Sequence, residues 1–174
     1  MKKSLIFTIG HSTRTFAEFA ELLRAHEVEE VVDVRSIPRS RHNPQFNEEV
    51  LVQSLEREHI QYKHLDKLGG LRHTKKDSIN LGWHNTSFRG YADYMATPEF
   101  KEGLEELTKI ARLQKTAIMC AEAVPWRCHR SLIADALTKE GWLVQDIMSR
   151  TSATKHRLTP FLKVRKGQLI YPAP

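Results

Sequence analysis

The stretch from Thr116 to Asp135 constrains this chain more than any other. It opens on a short apolar run, Ala117 to Met119, and passes within a few positions to helical spacing, with Leu132, Ile133, Ala136 and Leu137 on one face. A strand must therefore feed a helix through the polar turn between them. Both cysteines, Cys120 and Cys128, fall in that turn beside Glu122, Arg127, His129 and Arg130. The free N–H groups at a helix start carry partial positive charge and favour an anion, and the two arginines act in the same sense.

The same alternation of short strands and helices recurs along the chain. Lys3 to Ile9 reads as an apolar strand ending at Gly10-His11-Ser12, and Thr15 with Glu18 forms a capping box opening a helix whose buried stripe is Phe16, Phe19, Ala20 and Leu23. Val31 to Val34 is a second buried strand that runs into a basic loop carrying Arg35, Arg39, Arg41 and His42. Asn47 is placed to cap a helix to about His59, and Ile60 to Leu65 reads as a third strand. From Asp66 to Ser87 there is little periodicity but much charge, and a connection of that length is more often functional or mobile than idle.

Tyr91 and Tyr94 fall on a short helix, and Thr97-Pro98-Glu99 starts another with Phe100, Leu104, Leu107 and Ile110 inward. Gly141 ends the central helix, and Trp142 to Ile147 is a further strand. Pro160 to Pro172 reads as a hairpin turning at Lys166-Gly167 and pairing at an edge of the main sheet. The expectation is an α/β fold: a three-layer sandwich with a mostly parallel central sheet and a C-terminal β-hairpin, in a single domain over 1–174. In such sheets ligands bind outside the carboxyl ends of the strands. Three strands here end in polar groups: His11 and Ser12 after the first, Asp33 and Arg35 at the second, Cys120 and Glu122 after the central one.

Composition narrows the partners. The charge of +6 suits phosphate-bearing ligands without requiring nucleic acid. Two cysteines without a signal peptide point to free thiols in the cytoplasm, and no apolar run approaches the roughly 20 residues of a membrane span. Nucleotide-binding glycine fingerprints are absent.

Each candidate has a functional and a structural reading. Cys120, at a strand end before a helix, occupies the position of a nucleophilic thiolate, although no glycine lies between it and Arg127 to let amides curl round an oxyanion; equally it is a packed core cysteine. Cys128, His129 and Arg130 supply a thiolate, a proton-transfer group and an anion anchor, or pack and cap. A metal site from the cysteines and a histidine lacks the usual paired spacing, so neither metal nor cofactor is expected. Glu122 and Asp33 are acid–base carboxylates, or Asp33 is the buried partner of Arg35 or Arg130. The basic loops, with Trp83, Phe88 and Tyr91 interleaved, either follow a nucleic-acid backbone or form a solvated surface.

Several ordered motifs carry a resemblance. Thr8 to Ser12, Val32 to Arg35 with Pro38 and Ser40-Arg41, Leu68 to Gly70, Tyr91 to Met95, Cys120-Ala-Glu122 with Cys128-His-Arg130, and Leu158 to Pro160 with Tyr171-Pro172 together resemble the domain of unknown function 488 family. The resemblance spans nearly the whole chain and implies a cytoplasmic α/β domain, found mostly in prokaryotes, with no reaction attached.

The leading expectation is an enzyme acting on an anionic small molecule or nucleic acid. Glu122, Cys128, His129, His11 and Asp33 are its catalytic candidates, and Ser12, Arg35, Arg41, Arg127, Arg130 and Tyr91 its substrate-binding ones. The alternatives are a non-catalytic DNA- or RNA-binding module and a thiol-dependent sulfur or redox enzyme using Cys120 or Cys128.

Overall fold

The computed structural model describes residues 3–174. Five strands run parallel: β1 (Leu5–Gly10), β2 (Glu30–Asp33), β3 (Gln61–His64), β4 (Thr116–Cys120) and β5 (Leu143–Ile147). They are joined at one edge by the antiparallel β6 (Ala153–Lys155), giving the order β3-β2-β4-β1-β5-β6. The helices are α1 (Phe16–Ala25), α2 (Glu48–Arg57), α3 (Thr86–Tyr94), α4 (Pro98–Leu113) and α5 (Arg130–Lys139). No helix among the described residues is long and apolar enough to cross a membrane.

Both faces of the sheet are covered, which is why its central strands are near-continuous apolar runs. Successive side chains alternate between the two cores. Phe7, Ile9, Val31, Ala117 and Met119 pack with Phe19, Leu23, Leu51 and Leu55 of α1 and α2. Ile6, Val32, Ile118 and Cys120 pack on the other side with Leu104, Leu107, Leu132 and Leu137 of α4 and α5. Each of these large apolar side chains contributes about 1.5–3 kcal/mol by leaving water. The expected three-layer α/β sandwich is the observed one.

Local signals hold in detail at α1, where Thr15 accepts from Glu18 N and Glu18 reaches back to Thr15 N. Asn47 does precede α2, but its side chain caps nothing: Oδ1 accepts from Ser40 N at 2.7 Å and ties down the basic loop instead. Gly141 ends α5 with φ of +97°, a conformation glycine adopts without strain.

The hairpin forms where the sequence places it, as β7 (Lys163–Arg165) and β8 (Gln168–Ile170) turning through Lys166 and Gly167, both with positive φ. It does not join the main sheet. It is a separate two-stranded sheet, and the edge beside β5 is taken by β6, which the sequence pattern does not announce. Tyr171 explains the difference. Fully buried among the helices, it donates its hydroxyl to Asp135 at 2.8 Å, and its backbone N–H donates to Asn80 at 2.8 Å. Those buried contacts hold the tail against α5, where edge pairing would have drawn it out.

Candidate functional site

Strand order puts β4 between β1 and β2, so the three polar strand ends are neighbours. The chain stays closely wound as it leaves them. His11 N donates to Cys120 O at 2.9 Å, and Ser12 N, at a residue with φ of 51°, donates to Ala121 O at 2.9 Å. Gly10 is required here, because a Cβ on it would stand 1.7 Å from Glu122 O. Beyond Glu122 a 3₁₀ turn, Pro125–Arg127, leads into α5.

Arg130 opens that helix and sends its side chain back under the turn, where it is fully buried. Its Nη1 donates to Cys120 Sγ at 2.8 Å and to Glu122 O at 2.6 Å, Nη2 to Ala123 O at 3.3 Å, and Nε to Thr8 Oγ1 at 3.2 Å. Thr8 in turn donates to Asp146. Arg130 forms no ion pair with a carboxylate among the described residues. A guanidinium keeps its proton in proteins, and a buried cation needs a compensating charge.

The two thiols respond in opposite senses. Burial raises Cys120, but the hydrogen bond from Cys128 and the Arg130 guanidinium outweigh it and leave its pKa below the ordinary thiol value. Burial, and then the adjoining Cys120 sulfur, push Cys128 well above that value. Cys128 is thus the protonated partner and Cys120 the sulfur disposed to carry charge. The α5 amide that the sequence reading leaves open to an external anion is occupied: Arg130 N donates to Cys128 Sγ at 3.4 Å.

Two histidines flank this pair, and burial lowers the pKa of each to about 4. His129 Nε2 lies 2.8 Å from Val34 O. A carbonyl only accepts, so Nε2 carries the hydrogen and Nδ1, 3.6 Å from Cys128 Sγ, presents a lone pair. Tyr91 packs its ring 4.9 Å from the His129 ring and donates its hydroxyl to Leu68 O at 2.9 Å. Gly70 leaves room on another side, where a Cβ would meet His129 Nδ1 at 2.6 Å. By the same reasoning His11 Nδ1 donates to Ser12 O at 2.8 Å, and its Nε2 faces Arg35 Nη1 at 3.4 Å.

Asp33 holds Arg35, with Nε at 2.9 Å and Nη2 at 2.7 Å, and accepts from Tyr62 Oη at 2.6 Å. Register sets Asp33 beside Met119, and Gly10 beside Cys120. Asp33 therefore points to the α1–α2 side of the sheet and Cys120 to the α5 side, so the aspartate reaches the site only through Arg35.

Above the sulfurs lies an open hollow of about 350 Å³ lined by Arg35, Cys120, Glu122, Arg127, Cys128 and His129, and closed by Gly70, Leu71, Asn85, Ser87 and Phe88. Arg130, Tyr91, His11 and Asp33 stand behind this lining as supports. Ser12 is half-buried beside the Ala121 carbonyl, and Arg41 is exposed in its loop; neither lines the hollow. Sequence reasoning did not single out Ser36, Leu71, Asn85 or Ser87. The signal for most of them was the long aperiodic segment 66–87, whose far end folds back as a wall. Among the described residues no group of three His, Cys, Asp or Glu is arranged to hold a metal ion.

A family model described as "Domain of unknown function DUF488" matches residues 15–137, which takes in the two thiols, Arg130 and the whole lining of the hollow. No curated protein and no solved structure matches the chain.

Proposed function

The chain belongs to the DUF488 family, a membership that brings no reaction with it, and we propose one from the site: a thiol-dependent enzyme that works on an anionic substrate held in the hollow at the ends of β2 and β4. The observation that carries this reading is the fully buried Arg130, with Cys120 Sγ 2.8 Å from Nη1 and no carboxylate paired to it among the described residues. Arg35 and Arg127 at the hollow's wall are the anion's partners.

In this reading the Cys120 thiolate attacks the electrophilic atom of the substrate. A bond from sulfur to that atom forms while the bond to the leaving group breaks, and the leaving group departs with the electron pair, taking its proton from the Cys128 thiol. Water then adds to the covalent intermediate. Glu122, exposed at the mouth, takes one proton of that water as its oxygen bonds to the same atom; the bond to Cys120 breaks with the electron pair returning to sulfur, the product leaves, and the proton passes from Glu122 to Cys128, restoring the thiolate and the thiol. His129 packs beside Cys128 with its Nε2 donating to Val34 O, and Tyr91 fixes the ring. His11 and Asp33 position Arg35, and no step is assigned to Ser12 or Arg41.

Alkylation by iodoacetamide, read peptide by peptide by mass spectrometry across pH, tests the central claim. Cys120 should react with a midpoint below the ~8.5 of a free thiol, and Cys128 only at higher pH. Modification of Cys128 first, or an ordinary midpoint at Cys120, would overturn it.

A further inference from the structure

On the far side of the Pro125–Arg127 turn lies a second depression of about 600 Å³ with a mostly apolar lining that includes Trp83, Trp126, Leu158 and Phe161. Trp126 is 67 % exposed there, an unusual cost for so large an apolar ring. Trp83 Nε1 is buried without a hydrogen-bond partner, the only such side-chain atom among the described residues. Lys155 and Arg157 stand at the rim, and the depression's one carboxylate, Asp146, is engaged by Thr8.

The hollow above Cys120 has another neighbour. A third depression shares Gly70, Leu71 and Ser87 with it and continues past Arg72 and His73. Consecutive residues of one turn, Trp126 and Arg127, face the apolar depression and the hollow respectively. The three recesses therefore form a row, with basic side chains in each, an aromatic platform at one end and the thiol pair in the middle.

We infer that this row is a track for single-stranded nucleic acid, with one base stacked on Trp126 and the adjoining phosphates beside Arg157, Lys155 and Arg127. The inference rests on the hollow's reading as the place of reaction and gives its substrate a class. A compact anion would fill the hollow and leave the platform unused. A duplex keeps its bases stacked and cannot offer one to the apolar recess. Stacking a base on an exposed aromatic contributes about 1–3 kcal/mol, and arginine and lysine beside it track the backbone without reading sequence.

Fluorescence anisotropy of the full chain with a labelled oligothymidylate of about twelve nucleotides, over a series of salt concentrations, is the test. Trp126→Ala should weaken binding about tenfold or more, and Trp126→Phe should restore most of it. Lys155→Ala and Arg157→Ala should each reduce the log–log salt slope by about 0.7. Unchanged binding in Trp126→Ala, a duplex bound as tightly as the single strand, or thymidine monophosphate competing as well as the oligonucleotide would each overturn the track. Failure of the thiol titration with Trp126-dependent binding intact would remove the chemistry alone; a normal titration without that dependence would remove the track alone.

Discussion

Cys120 Sγ and Arg130 Nη1 face each other at 2.8 Å, each almost wholly out of water. Neither is comfortable alone: an unpaired guanidinium in the interior costs several kcal/mol, and a buried thiol by itself resists ionisation. Together they form a buried contact in which the guanidinium, with no carboxylate beside it among the described residues, lowers the pKa of the thiol. Cys128 acts on Cys120 in the same sense, and its own pKa is pushed well above the ordinary thiol value by burial and by the adjoining sulfur.

That pairing makes the two residues energetically dependent on one another. Arg130→Met should destabilise the fold by about 3–5 kcal/mol, since it also strands the Glu122 and Ala123 carbonyls. Cys120→Ala should cost less, and the double variant should recover about 1–3 kcal/mol of the sum. Urea denaturation of the three variants measures this; costs that add to within about 0.5 kcal/mol would mean that no charge is shared.

The two lowered histidines set a pH limit. Each has a pKa of about 4 when folded, against about 6.5 for the exposed ring, so between these values the unfolded chain binds more protons. The stability they give is present above about pH 6.5 and drains away as pH falls through about 4. The loss for His11, 2 % exposed, is on the order of 3 kcal/mol. Urea midpoints should fall across that window, and the ring C–H resonances of both histidines should stay flat as pH is lowered through 6.5. Titration of either ring near its ordinary value would contradict the burial argument.

Much of the architecture was legible because short-range rules decide it. The apolar run ending at Cys120, the capping box at Thr15 and the glycine stop at Gly141 each act within a few residues, and the turn from Cys120 to Arg130 could be read as one unit. What escaped depends on pairing between distant segments. The face Asp33 presents is fixed by its register with Met119, which one strand read alone does not reveal. Likewise the tail leaves the sheet edge because Tyr171 finds Asp135, and Trp126 looks like one more turn residue until the second depression is seen beside it.

Gly10→Ala should separate close packing from simple backbone preference. The added methyl meets Glu122 O at 1.7 Å and Arg130 Nη1 at 2.9 Å, and since the first is backbone the turn itself must move. Expected effects are a loss of at least about 2 kcal/mol and a higher alkylation midpoint at Cys120. Gly167→Ala is the control: nothing lies within 4 Å of its Cβ position, and only its φ of +76° opposes the change, at about 1 kcal/mol. Equal costs at the two positions would show that the Glu122 turn yields freely.

The wall of the apolar depression depends on one buried carboxylate. Asp135 accepts from His156 Nε2 at 2.8 Å, Thr159 N at 3.1 Å, Thr159 Oγ1 at 2.7 Å and Tyr171 Oη at 2.8 Å, so it pins both ends of the segment that carries Leu158 and Phe161. Asp135→Ala leaves those donors unsatisfied, at about 1–3 kcal/mol for each that finds no water, and frees the segment. Tyr171→Phe removes one bond alone and should cost about 1 kcal/mol. Native-state trypsin treatment reads the difference: Arg157 should become a cleavage point in Asp135→Ala and stay protected in Tyr171→Phe. Because Cys120 sits across the 3₁₀ turn from this wall, its alkylation midpoint should be unmoved in both variants while oligonucleotide affinity falls in the first. A midpoint that shifts with Asp135 would mean that hollow and groove are one mechanical unit, and Trp126 could then not be assigned a separate role.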